Sequence, residues 1–180
     1  MLDNLHKNKI GKFLVSKFDL LDEDHKATEV NDPLFLPFYY YLNEIIKPKN
    51  MMEIGLGMGL CSGSFLLGNK SVDNFLGVQE SKTYYNKNIA IRNVKKYYKK
   101  KFKFSSTIVD FKSDFIILRE KNKEKMSEYL SSVFEFLEYD GMLCCDYAFD
   151  NKSVLDIFCR TRNLNYKFYN TRYGVGIITK

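Results

Sequence analysis

Proline and histidine are scarce in this 180-residue chain, with three and two copies, and cysteine numbers four. Three Pro beside ten Gly exclude a collagen-like fibre, and four Cys are too few for a disulfide scaffold. Cys61, Cys144, Cys145 and Cys159 form no C-x-x-C pair and have no His nearby. Cys144 and Cys145, adjacent on a strand-like stretch, point to opposite faces and cannot jointly hold one zinc, so all four read as small buried apolar residues. Long apolar runs are missing too. The longest uncharged stretch, residues 54–69, is glycine-rich and shorter than the roughly 20 apolar residues that span a bilayer. The N-terminus lacks the apolar core of a secretory signal, which points to a cytoplasmic protein. A share of 45% apolar and 16% aromatic residues excludes disorder and suits one domain with a buried core.

Charge is present but unevenly placed. The formal net charge is +6, with 28 Lys+Arg against 22 Asp+Glu. Residues 81–103 carry nine cations and no acid, which leaves 19 cations against 22 acids elsewhere, a net of −3. Seven of those cations fall between Arg92 and Lys103, interleaved with tyrosine and phenylalanine. Two readings stay open for this segment. One is a phosphate-tracking nucleic-acid patch with rings available for stacking. The other is the solvated end of a helix, where cations favour the macrodipole.

No internal repeat or flexible linker divides the chain, so it reads as an N-terminal extension or lid (1–32) and one domain (33–180). A helix is expected over 34–46, stopped by Pro48. After it, strand and helix signals alternate: a strand at 51–55, a helix directly after it, a strand at 74–80 and a helix at 81–98 with Tyr85, Ile89 and Val94 inward. Strands at 102–111 and 114–118 have almost no connection between them. Met126, Tyr129, Leu130, Val133, Phe134 and Leu137 repeat at the helical period over 122–139, and Asp140-Gly141 is expected to end that helix. A buried strand at 141–149, a helix at 152–163 and two closing strands about a tight turn complete the chain. Alternation of this kind gives a mostly parallel sheet with helices on both faces. The closing pair has no helix between its members, so the last strand is expected to run antiparallel.

Half of the glycines (Gly55, Gly57, Gly59, Gly63 and Gly68) lie where the first strand hands over to its helix. In an open α/β sheet that turn borders the ligand crevice. Glu53 places a carboxylate near the end of the same buried strand, where a ligand's ammonium or the loop's N–H groups can partner it. A P-loop is excluded, because no Gly-Lys-Ser/Thr follows. The G-x-G-x-x-G frame fails from Gly55, with Leu60 in the last place, and from Gly57, with Ser62 there. Residues 59–63 fit a nucleophile elbow with Cys61 as nucleophile, but no histidine follows to serve as base.

Glu53-Ile54-Gly55-Leu56-Gly57-Met58-Gly59 resembles motif I, E/D-x-G-x-G-x-G, of class I S-adenosylmethionine-dependent methyltransferases. The resemblance runs from about Asp32 to Lys180 and takes in an aromatic-rich helix before the first strand, Glu80 ending the second, and the closing antiparallel pair. It implies a Rossmann-like, seven-stranded, mostly parallel sheet with S-adenosylmethionine as cofactor. Gly55, Gly57 and Gly59 would pack against the methionine part, and Glu80, or Gln79 if the strand runs one residue differently, would take the ribose hydroxyls. Asp110 and Phe111 fall where the family contacts adenine, although the usual helix between strands three and four has no room here. The layout looks like the small O-methyltransferases.

Nothing names the acceptor. No N/D-P-P-Y/F follows the fourth strand, where Leu118-Arg119-Glu120-Lys121 stands, which argues against transfer to the exocyclic amines of DNA bases. Glu120 and Asp146 stand roughly where metal-dependent O-methyltransferases place carboxylates, but the Asp-Asn pair comes four residues late, at Asp150-Asn151, so no metal is assigned. Asp146 and Tyr147 are the best candidates for a polar pair lining the pocket, and His25 for a base brought by the N-terminal segment. The expected activity is methyl transfer, with O-methylation of a small molecule favoured. The alternatives are a non-catalytic Rossmann-like module that holds nucleic acid or a larger assembly through its basic helix, and, more weakly, a nicotinamide-dependent oxidoreductase.

Overall fold

The computed structural model describes residues 13, 14, 17, 35–79 and 87–180. Helix α1 (Phe35–Ile45) is followed by β1 (Asn50–Ile54), α2 (Leu60–Gly68), β2 (Asn74–Val78), α3 (Lys87–Tyr97) and β3 (Lys101–Ser105). Then come β4 (Ser113–Arg119), α4 (Lys123–Phe136), β5 (Leu137–Asp146), α5 (Lys152–Thr161), β6 (Tyr166–Tyr169) and β7 (Val175–Thr179). One seven-stranded sheet runs in the order β3-β2-β1-β4-β5-β7-β6. Neighbours from β3 to β5 pair in parallel, whereas β7 pairs antiparallel with both β5 and β6, as expected for the closing strand. The carboxyl ends of five parallel strands therefore lie at one end of the sheet.

Alternation along the strands builds two cores, because successive side chains face opposite sides. Met51, Phe75, Phe115, Ile117 and Cys144 face α1, α2 and α3. Met52, Leu76, Ile116, Leu118 and Cys145 face α4 and α5. Strands covered on both faces carry near-continuous apolar runs, and Phe115 to Leu118 of β4 are all fully buried. All four cysteines are buried thiols that form no disulfide. Leu14 is buried in the first core, and the Tyr97 hydroxyl donates to the Lys17 carbonyl, so part of the N-terminal segment rests on the α3 side. Among the described residues no helix is long and apolar enough to cross a membrane.

Three boundaries differ from the sequence reading. The amphipathic helix α4 begins after Asn122, whose side chain caps the Lys125 N–H at 3.0 Å, but it stops at Phe136. Leu137 is already extended and opens β5, pairing with Ser113 before the register shifts to Phe115↔Met142. Asp140 (φ 61°) sits in this irregular stretch, and a Cβ on Gly141 would lie 2.7 Å from the Glu138 carbonyl. Gly141 thus serves a close approach within the strand and does not end the helix. The third strand ends at Ser105, well before residue 111, and residues 106–112 return without a helix to the start of β4. The second strand ends at Val78, before Gln79 and Glu80.

Candidate functional site

The turn from β1 to α2 is held from several sides. Gly55, Gly57 and Gly59 all have positive φ (79°, 54° and 72°), a conformation that L side chains rarely adopt. Space imposes a second demand at Gly55, where a Cβ would lie 2.2 Å from the Arg119 carbonyl oxygen. The Gly55 and Leu56 N–H groups donate to the Val78 carbonyl, at 3.0 and 3.2 Å. Gly57 N–H donates to the Gln79 side-chain carbonyl at 2.7 Å, and Asn93 of α3 donates its amide to the Met58 carbonyl at 2.9 Å. Sequence reasoning offered Gln79 as a ribose partner; here it braces the glycine loop. Asn93 was not anticipated.

Beneath the loop lies a buried polar cluster. Glu53 of β1 is fully buried and accepts from both the N–H and the hydroxyl of Ser62 in the first turn of α2. Both donors reach Oε2, and Oε1 has no hydrogen-bond partner among the described residues. Burial pushes the Glu53 carboxyl up to about 7, while Arg119 and the Ser62 hydrogen bonds oppose the shift. Arg119, the last residue of β4, is buried and places Nε 3.0 Å from Oδ2 of the fully buried Asp146 on β5. Its Cζ lies 5.4 Å from the centroid of the Phe35 ring on α1. Tyr39, also on α1, sits 3.9 Å from the Cys144 thiol, and burial raises both groups well above their ordinary values. Glu53, Arg119 and Asp146 thus come from three adjacent strands, on the face covered by α1 and α2.

Beyond Asp146 the chain turns at Tyr147 (φ 57°), a half-buried residue whose ring lies 4.9 Å from that of Tyr173. Phe149 pairs with Phe168 at 5.0 Å, and Phe38 with Tyr169 at 5.3 Å, so aromatic rings surround the carboxyl end of β5. Asp146 is therefore no solvated strand end; it is committed to a guanidinium. Asn151 donates its amide to the carbonyls of Glu120 and Tyr147, and the Glu120 carboxylate accepts from the Asn122 N–H. No group of three potential metal ligands assembles among the described residues.

Glu80 and His25 lie outside the described residues. Asp110 and Phe111 are not brought to the crevice. Phe111 lines a small recess with Asn74 and Lys101, the first residues of β2 and β3, at the opposite end of the sheet, and Asp110 is exposed beside it. The cause is geometric: a seven-residue return reaches at most about 25 Å, so most of it is used in running back along a strand of about 17 Å. The lysines also gather at that far end. Lys100 pairs with Asp73 at 2.8 Å, and Lys101 and Lys103 lie on β3, an edge of the sheet, where lysine discourages pairing with another chain.

No protein-family model matches the chain, and no curated protein matches its sequence. Solved structures do. The SAH-bound Podospora anserina methyltransferase PaMTH1 superposes with a TM-score of 0.63 at 14% identity, covering 99% of this chain and 88% of that one. The O-methyltransferase TomG of Streptomyces achromogenes, in complex with SAM, gives 0.65 at 9% identity and 99% coverage of both chains. Precorrin-6y C5,15-methyltransferase of Geobacter metallireducens gives 0.66 at 12%, covering 91% and 97%. Strand order, glycine loop and these neighbours agree: the chain has the fold of the class I S-adenosylmethionine-dependent methyltransferases.

Proposed function

We propose that this chain binds S-adenosylmethionine over the carboxyl end of β1 and transfers its methyl group to a small-molecule acceptor, at oxygen. One observation carries the reading: a buried carboxylate, Glu53, has one oxygen without a hydrogen-bond partner among the described residues, beneath a loop of three positive-φ glycines. The residues fit the cofactor on both counts. An α-ammonium supplies the donor that Oε1 lacks, and the bare backbone of Gly55 to Gly59 permits the close approach that Cβ atoms would block. When bound, the cofactor supplies an electrophilic methyl on a sulfonium.

The chain's own task is then positioning. A preformed loop, braced by Gln79, Asn93 and the end of β2, holds one reactant without reorganisation. Asp146 and Tyr147 are proposed as the polar pair on the acceptor side, with the buried Asp146 acting by orienting Arg119. The aromatic rings around Tyr147 and Tyr173 support a flat acceptor. His25 and Glu80 keep their proposed roles as base and ribose partner.

Calorimetric titration with S-adenosylmethionine and S-adenosylhomocysteine tests the reading. One-to-one binding of both is expected; binding of neither would sink it. Two rival readings have their own signatures: salt-dependent binding of RNA or DNA with no cofactor affinity for a non-catalytic module, and enhanced NADH fluorescence on mixing for an oxidoreductase.

A further inference from the structure

In the sequence Arg119 stands out only as part of Leu118-Arg119-Glu120-Lys121, the stretch after the fourth strand. Glu53 of β1 pairs in register with Ile117 of β4, so Arg119 lies two residues farther toward the crevice on the same face of the sheet. Its Nη1 reaches the underside of the loop, where a Cβ on Gly57 would lie 3.5 Å away. Asp146 grips Nε from the far side, and the Phe35 ring lies against Cζ. The guanidinium is therefore clamped beside the backbone that borders the proposed cofactor, one strand from the carboxylate whose Oε1 has no hydrogen-bond partner among the described residues.

We propose that Arg119 anchors the carboxylate of the cofactor's amino-acid head group while Glu53, across from it, takes the ammonium of the same head group. The inference rests on the reading above. Two carboxylates and one guanidinium are buried together here, an arrangement a purely structural cluster does not need, since well-packed apolar residues do as well or better. A zwitterionic head adds one charge of each sign, and each finds an opposite partner on adjacent strands. A planar fork suits a carboxylate because it offers two parallel N–H donors. With Asp146 and Phe35 fixing the fork beforehand, little ordering cost remains at binding.

The test compares two ligands that share the adenosine and the thioether but differ in the head group. S-adenosylhomocysteine carries the amino-acid head; 5′-methylthioadenosine lacks it. Affinities are measured by calorimetry on the full chain and on Arg119→Gln. Loss of a charge-assisted pair predicts an affinity for S-adenosylhomocysteine about 10- to 100-fold lower, with that for 5′-methylthioadenosine unchanged. Retained 5′-methylthioadenosine binding also reports an intact fold. Should Arg119→Gln not fold, Arg119→Lys carries the same test, with a smaller loss confined to S-adenosylhomocysteine. An equal loss for both ligands, or no loss for S-adenosylhomocysteine, overturns the assignment of Arg119 and leaves the cofactor reading intact. A wild-type protein that binds neither ligand overturns both.

Discussion

The two ends of the sheet carry charge in opposite ways. At the amino end, Lys100 and Lys49 meet Asp73 in ion pairs whose side chains are about half exposed or more. At the carboxyl end, Glu53, Arg119 and Asp146 are buried. Charges in water cost little and contribute little, since exposed pairs are screened and pay side-chain entropy. Buried charges each lose hydration worth several kcal/mol, and their mutual attraction seldom more than balances it. Lysines on an edge strand discourage pairing with another chain, whereas the buried cluster is the place where we propose that a ligand binds. Lys100, Lys101 and Lys103 thus lie at the opposite end of the sheet from the proposed cofactor site.

Substitutions at the two ends should separate sharply. Asp146→Ala removes the carboxylate from a buried guanidinium and is expected to cost about 3–5 kcal/mol in denaturant unfolding, the largest effect of the set. Glu53→Gln works in the opposite direction. The Glu53 carboxyl titrates near 7 when folded and near its ordinary value when unfolded, so between those values the native state holds the extra proton. Stability therefore falls as pH rises through that window, and the penalty is constant above it. Replacing Glu53 by Gln removes the penalty and should stabilise the protein at pH 8 by on the order of 3 kcal/mol, with little change at pH 4.5. The same substitution should weaken cofactor binding, a stabilising change at the expense of function. Gly55→Ala meets both a positive φ and the Arg119 carbonyl, and a loss of about 1–3 kcal/mol is expected. Asp73→Asn, at the other end, should leave the unfolding midpoint where it was. A large drop there, or none at Asp146, would break the comparison.

What could be read from the sequence were the features that local chemistry dictates. Gly55, Gly57 and Gly59 announce a turn no other residue accommodates, and Glu53 stands out as a charge in an apolar strand. The period of Met126, Leu130 and Val133 is a helix pattern whatever surrounds it, and all three are buried. Arg119 was illegible because its meaning depends on Asp146, 27 residues away, reached only once β4 and β5 pair. Asp110 and Phe111 fit the family's adenine position by count along the chain. A missing helix between β3 and β4 sends them to the far end, which spacing alone does not reveal. The end of α4 was misjudged for a related reason: the pairing of Leu137 with Ser113, a tertiary contact, draws the chain into β5 before Gly141 is reached.

The account turns on Glu53 keeping a buried charge for a ligand's ammonium, and its most direct test is the affinity for S-adenosylhomocysteine between pH 5.5 and 7.5, in wild type and Glu53→Gln. The groups that act on Glu53 are Arg119 from β4, Asp146 and Cys144 from β5 and Ser62 from α2. Binding that requires an ionised Glu53 should strengthen on the order of 20-fold from pH 5.5 to 7.5 in wild type, given a free carboxyl near 7. In Glu53→Gln it should be weaker and flat with pH. Wild-type affinity that does not change with pH, or that Glu53→Gln reproduces in full, would contradict the claim.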